Sequence, residues 1–426
     1  MFRTRTRLAA LSLIILPLTA CSLASPQDSD PDVSQDPDAD LTLLVHPTIY
    51  SALGGDDLVK DFSAEKGVDV QVVKADIGEH LEKLLTDERA GTGTYDLVAL
   101  QNIDYMPRVT DGLYALDSYI ESAPAEWDWN DFVESTRDYA AVDGTQYGVP
   151  VRLGMQMLYY RADLLSDAGI EPPATFNEYV EAAAQLTTDD VSGAVQRGVP
   201  RELANDWLGL LYSAGGTILE NGECAVDNEA GVEAVSMLRS LYDDGSLPED
   251  FFAMARDDYI AEMQLGHAAM GIYYSPYWSY LKNPEESTVA DDVAFALSPV
   301  VEGVTPGTSR AQTWNLSISA NSENRDMAWE FIQFATTKAN SLNSGLELAN
   351  GPVRESTYLD ADYAAKFPVA ETWLQAAKVA QSDPPIDQLP KIIDILATYV
   401  TAGIDGSSTP ADALTAACTE IDQAME

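Results

Sequence analysis

From Leu41 onward, short apolar runs alternate with amphipathic stretches. Leu41 to His46 is rich in strand formers and ends in a loop, His46 to Gly55. Leu58, Val59 and Phe62 stand at helical spacing, which predicts a helix over Asp56 to Lys66. Val68 to Val73 alternates as a strand does, Gly78 to Arg89 reads as a helix, and Tyr95 to Leu100 as a third strand. Strand, helix, strand, helix, strand at this spacing predicts a parallel α/β unit with right-handed crossovers. Ligands of such sheets sit at the carboxyl ends of the strands, here the loops around His46–Gly55, Lys74–Gly78 and Gln101–Tyr105.

The α/β pattern returns later with different content. Thr175 to Leu186 is a helix with a capping box, Thr175 and Glu178. Ala230 to Asp243 and Arg325 to Thr336 are further amphipathic helices, and between them lie strand-like pieces at Ala268–Tyr273, Val293–Leu297 and Leu316–Ser319. Pro384, Pro385 and Pro390 break the chain before a helical region over Lys391–Ala402 and a last helix from Ala411. No tandem repeat of fixed period is present.

The first twenty residues follow a different rule. Arg3, Arg5 and Arg7 precede an apolar core, Leu8 to Leu18, of signal-peptide length and too short to span a bilayer in the mature protein. Leu18-Thr19-Ala20-Cys21 resembles a bacterial lipobox, in which the Cys21 thiol takes the lipid. Residues 1–20 are therefore expected to be a lipoprotein signal peptide. Ser22 to Asp40 holds three prolines and six aspartates, has little apolar surface to bury, and is expected to be a disordered tether spanning 21–40 with the cysteine. The protein is expected on the outer face of the cell membrane, held by lipid alone.

About 386 residues remain for folding, enough for two ordinary domains. Against 69 acidic residues there are 24 basic ones, a formal charge of −45. That excludes nucleic acid and anionic lipid as natural partners, because affinity for phosphate needs Lys and Arg. The acids are spread along the whole chain, as in a solvated coat for salty surroundings, rather than gathered as in an anion-rejecting cleft. Cys224 and Cys418 remain after the anchor; an exported compartment permits a bridge between them, and two free thiols are the alternative.

Several passages carry a resemblance. Tyr95-Asp96-Leu97-Val98, Gly112-Leu113-Tyr114-Ala115-Leu116-Asp117 and Tyr147-Gly148-Val149-Pro150 are followed by Leu158-Tyr159-Tyr160-Arg161-Ala162-Asp163-Leu164-Leu165. Then come Gly169-Ile170-Glu171-Pro172-Pro173-Ala174-Thr175-Phe176, Gly215-Gly216, Leu265-Gly266-His267-Ala268-Ala269-Met270 and Ala328-Trp329-Glu330-Phe331-Ile332. In order and spacing the chain resembles the extracellular solute-binding proteins of carbohydrate ABC transporters, the maltose-binding-protein-like group. Tyr160-Arg161-Ala162-Asp163 and Gln196-Arg197-Gly198 resemble its sorbitol and mannitol branch. The resemblance implies an α/β fold of the two-lobed periplasmic-binding-protein type (type II), with the ligand between lobes, and a monomer that delivers a small carbohydrate or polyol to ABC permease subunits. Carried over, the lobe boundaries are 41–150 with 305–352, and 151–304 with 353–426.

A sugar presents hydroxyls and an apolar face, so its cleft needs aromatic planes and fixed polar groups. Aromatic candidates are Trp207, Tyr273, Tyr274, Tyr277, Trp278 and Trp314; the run from Tyr273 to Trp278 reads as a loop. Polar candidates are Arg152 after Pro150, Arg197 by the branch resemblance, Arg354 near the last crossover, Asn102 and Asp104 after the third strand, and His46 at the end of the first. Trp127 and Trp129 read as packing. No catalytic or metal-binding motif is present, three histidines are few for a zinc receptor, and no cofactor is expected. The alternatives are a receptor for an oligopeptide or polyamine and a lipid-anchored glycoside hydrolase.

Overall fold

The computed structural model describes residues 40–76, 78–104, 107–348 and 351–425. The leader, Cys21 and all of the expected tether except Asp40 lie outside them, as does Tyr105. Asp40 itself belongs to the fold: its carboxylate accepts from the Asp69 amide at 2.8 Å, squaring the ends of the first two strands.

In chain order the elements used below begin with β1 (Leu41–Val45), α1 (Pro47–Leu53), α2 (Gly55–Lys66), β2 (Val70–Lys74), α3 (Glu79–Ala90) and β3 (Leu97–Gln101). The long strand β4 (Val149–Arg161) follows, then α4 (Phe176–Leu186), α5 (Pro200–Ser213), α6 (Glu229–Asp243) and α7 (Arg256–Leu265). The chain continues with β5 (Met270–Tyr274), β6 (Val293–Leu297), β7 (Ala311–Ile318), α8 (Arg325–Ala335), α9 (Ala370–Val379), α10 (Leu389–Ile404) and α11 (Pro410–Met425).

β1 pairs in parallel with β2 and β3, as the alternating pattern requires, with Leu43 opposite Val72 and Leu97. β7 then pairs antiparallel with β3 on one side and with β4 on the other. The far half of β4, from Gln156 onward, pairs antiparallel with β5 and with β6. One seven-stranded sheet therefore runs through the molecule, and β4 is the strand shared by its two halves.

Each half carries its own apolar core. The first gathers Leu41, Leu43, Leu97, Ala99, Leu316 and Ile318 with Phe62 of α2 and Phe331 of α8. The second gathers Leu158 and Ile272 with Leu203, Trp207 and Leu211 of α5, Leu238 of α6, Ile392 and Leu396 of α10, and Leu414 and Ile421 of α11. The capping box of α4 is present: the Glu178 amide donates to the Thr175 hydroxyl at 3.2 Å, and the Glu178 carboxylate accepts from the Thr175 amide at 3.0 Å. Trp127 stacks on Trp129 with centroids 5.7 Å apart and is buried in the first core.

One expectation needs correction. Residues 353–380, assigned from sequence to the second lobe, pack in the first core through Val353, Tyr358, Tyr363, Phe367, Trp373 and Leu374. The chain leaves that core only around Gln381, whose amide donates to the Ser309 carbonyl at 2.8 Å and whose carbonyl accepts from Ala311 at 2.7 Å. Cys224 and Cys418 are bridged, with Cα atoms 5.2 Å apart, so the short hairpin after α5 is stapled to α11. No helix among the described residues is long and apolar enough to cross a membrane.

Candidate functional site

β4 and β7 place Arg152 directly opposite Trp314, and Trp314 opposite Gln101 of β3. Residues paired across antiparallel strands share a face, so these three side chains form one row across the sheet. The row runs along the seam where β4 passes from the first core to the second. A register shift at Trp314/Asn315 locally breaks the ladder beside it.

Trp314 lies between two imidazoles. Its ring centroid is 5.7 Å from His46 and 5.6 Å from His80. His46 follows β1 and caps α1, where Nδ1 accepts from the Thr48 amide at 3.3 Å. An amide can only donate, so Nδ1 carries the lone pair and the imidazole proton sits on Nε2. Burial lowers the His46 pKa below the ordinary imidazole value; Asp76 opposes that shift, while His80, Arg152 and Arg256 add to it. His80 is buried at the start of α3, with Nε2 3.3 Å from Asp104 and Nδ1 3.2 Å from the Asp76 carbonyl.

The other side of the site comes from the second half of the sheet and its helices. Burial lowers the Arg152 pKa, an effect that Tyr277 and Tyr280 oppose electrostatically. Tyr277 stacks on Tyr280 at 5.5 Å and touches Tyr273 at 4.5 Å. Arg197 lies 5.0 Å above the Tyr273 ring. Its guanidinium is held by Asp206 at 2.7 and 2.5 Å and by Glu202 at 2.9 Å. His46 meets Trp314 by ring contact and Arg197 meets Tyr273 by cation–π contact, while Arg152 stands beside Trp314 by strand register, with Tyr277 acting on it electrostatically.

The remaining candidates have other neighbours. Asp104 accepts from the Gln101 amide at 2.8 Å as well as facing His80, so it positions the histidine behind Trp314. Asn102 is buried and tied to the Thr313 amide at 3.1 Å and to Ser382, where three crossing segments meet. Trp207 is fully buried in the second core. Arg354 is fully buried in the first, donating to the Thr336 carbonyl at 2.7 and 2.9 Å and to Asp131 at 3.1 Å, with Phe132 beneath it at 3.8 Å.

Trp278 packs edge-on against Phe295 at 4.4 Å, and Phe295 stacks on Trp373 at 4.5 Å. With Met155, Pro276 and Tyr358 it lines an apolar hollow. Met155 and Arg152 are an odd number of positions apart on β4, so that hollow is on the opposite face from the Arg152 row. The run expected to be a loop is ordered instead: Tyr273 and Tyr274 end β5, a 3₁₀ turn spans Ser275–Tyr277 and a short helix begins at Trp278. Successive residues there are rotated by about 100°, which sends Tyr277 and Trp278 to different sides. His80, Gln101, Tyr280 and Arg256 are additions that sequence reasoning did not single out. Gln101 could have been found from strand register, had β7 been recognised at its full length.

Comparison with known proteins agrees with this architecture. The chain is 27% identical over 333 residues to the mannitol-binding protein of Pseudomonas aeruginosa, covering 73% of each. A solute-binding protein of an ABC transporter from Agrobacterium radiobacter, solved in complex with ribitol, superposes with a TM-score of 0.78 at 25% identity, over 90% of this chain and 98% of that one. One from Agrobacterium vitis with bound D-mannitol gives 0.72 at 26%, over 90% and 98%. The fold is thus that of the type II periplasmic binding proteins. The sequence pattern of the bacterial extracellular solute-binding proteins matches residues 53–341, and the chain belongs to that family.

Proposed function

We propose that the protein captures a sugar or polyol between the two halves of its sheet and presents it to an ABC importer. The observation that carries this reading is the row Gln101–Trp314–Arg152, which sets an aromatic plane of the first half beside a hydrogen-bonding side chain on β4, the strand that both halves share. The relatives that bind mannitol and ribitol support the ligand class. A polyamine fits less well, because the cation Arg152 stands in the site.

In this reading the first lobe is 41–150 with 311–380, and the second is 156–310 with 386–426. Ligand contacts from both sides stabilise a closed form, and closure is what the permease recognises. Cys21, through its lipid, holds the receptor near the permease and raises its effective concentration.

Calorimetric titration and thermal shift over mannitol, ribitol, glucitol, erythritol and maltose test the ligand class. At least one is expected to bind and raise the melting temperature. If none stabilises the protein, the assignment falls. Replacing Cys21 with alanine is expected to release the protein from the membrane fraction without altering its affinity.

A further inference from the structure

The arginines of this protein keep close company with its abundant acids. Arg197 holds Asp206 and Glu202, Arg310 holds Asp383, and Arg354 holds Asp131. Arg137 and Arg325 are also partly buried without an acid, but each donates to the protein, to Asn130 and to the Ala320 carbonyl; Arg152 has no such bond among the described residues. It is partly buried at the centre of the site, and among the described residues it has no carboxylate within ion-pair distance and no hydrogen-bonded partner. In a chain with 69 acids against 24 bases, an interior cation left with neither an acid nor a hydrogen-bonded partner among the described residues is a specific arrangement.

The groups around it do not supply the missing charge. Tyr277 and Tyr280, which act on it electrostatically, are phenols and bring no carboxylate. His46 is uncharged at neutral pH, and Arg256 carries its own acid, Asp257, at 2.9 Å. Asp76 is exposed and acts on His46 from the other end of the row. A ligand closing over Arg152 removes its remaining water, and a desolvated guanidinium is costly unless an anion replaces that water. Its planar fork matches a carboxylate through two parallel hydrogen bonds, whereas a diol brings hydroxyls but no charge.

We propose that the ligand bears a carboxylate that binds Arg152, which makes the preferred solute a sugar acid, an aldonate or uronate, with its hydroxyl chain lying along Trp314 toward His46 and Asp76. This rests on the reading of the site as a sugar or polyol receptor and narrows it. The overall negative charge does not oppose such binding at close range, because salt screens distant surface charges within about 10 Å while the partly buried contact at Arg152 is screened far less.

The test pairs each acid with its alcohol: D-mannonate against D-mannitol, and D-gluconate against D-glucitol, titrated into the intact protein by calorimetry. The acid of each pair is expected to bind about ten- to a hundredfold more tightly, the usual range for a charge-assisted pair. Arg152→Gln is expected to weaken the acid of each pair at least about tenfold more than its alcohol, which erases the preference; Arg152→Lys, keeping charge without the fork, is expected to retain part of it. Alcohols that bind as tightly as their acids, or a variant that weakens both members of a pair equally, overturn the inference and leave the polyol reading standing. Failure of all four compounds and of the other polyols and maltose removes that reading as well.

Discussion

Arg310 and Arg152 both stand where the chain passes between the two cores, and their surroundings could hardly differ more. Arg310 is fully buried and saturated. Its Nε donates to Asp383 at 3.0 Å, Nη1 to the Asn205 carbonyl at 2.5 Å and to the Tyr274 hydroxyl at 3.1 Å, and Nη2 to Asp383. Tyr212 donates to the same carboxylate at 2.9 Å. Three segments of chain are bound to one guanidinium. Arg152, on the neighbouring strand, is bound to none among the described residues. A buried charge that is fully paired fixes structure, because removing either partner strands the other. A charge left open near the same crossing is available for a molecule that arrives later.

The comparison predicts a graded set of effects. Asp383→Ala leaves Arg310 buried and unpaired, and urea denaturation is expected to show a loss of about 3–5 kcal/mol. Asp206→Ala is an intermediate case, since Glu202 stays with Arg197 at 2.9 Å. A loss of about 1–3 kcal/mol is expected there, together with weaker ligand binding as Arg197 is held less firmly above Tyr273. Arg152→Gln removes a charge that no carboxylate among the described residues compensates, so the ligand-free protein is expected to lose no more than about 0.5 kcal/mol. A loss near that of Asp383→Ala would mean that Arg152 has a structural partner, and the contrast would collapse.

The smallest effect concerns His46. Its pKa is lowered in the folded protein, so between the ordinary imidazole value of about 6.5 and the folded value the unfolded chain binds more protons. Stability contributed by neutral His46 is therefore present above about pH 6.5 and is lost as pH falls through that window. His46→Gln is expected to flatten the slope of melting temperature against pH there, and the Arg310 network, with its arginine charged throughout, is expected to contribute none of it.

Local pattern revealed most of the first half of the sheet. β1, α2, β2, α3 and β3 fall within two residues of their expected places, because each is either amphipathic or bounded by polar turns. β4 was visible only as a crossover. It is buried on both faces for most of its length and interrupted by Pro150 and Gly154, so no period of two marks it. The first residues of β7 were missed for a related reason: Gln312, Thr313 and Asn315 look like loop residues, yet they are paired in the ladder. Trp314 and Arg152 stood out as residue types, but that they are opposite one another is a fact of register between strands more than 150 residues apart. The misplacement of 353–380 has the same origin, since which core those aromatics join depends on where the third crossing falls.

The bridge between Cys224 and Cys418 also bears on how the protein is made. The second core is completed by α10 and α11, the last two helices of the chain, which cover α5 and α6. Residue 418 leaves the ribosome 194 residues after its partner. The first core needs nothing beyond Ala380. Assembly is thus ordered by synthesis: the first half can close while the apolar faces of α5 and α6 are still bare, and the second cannot be sealed until the C-terminus has been delivered to the compartment where the two thiols oxidise.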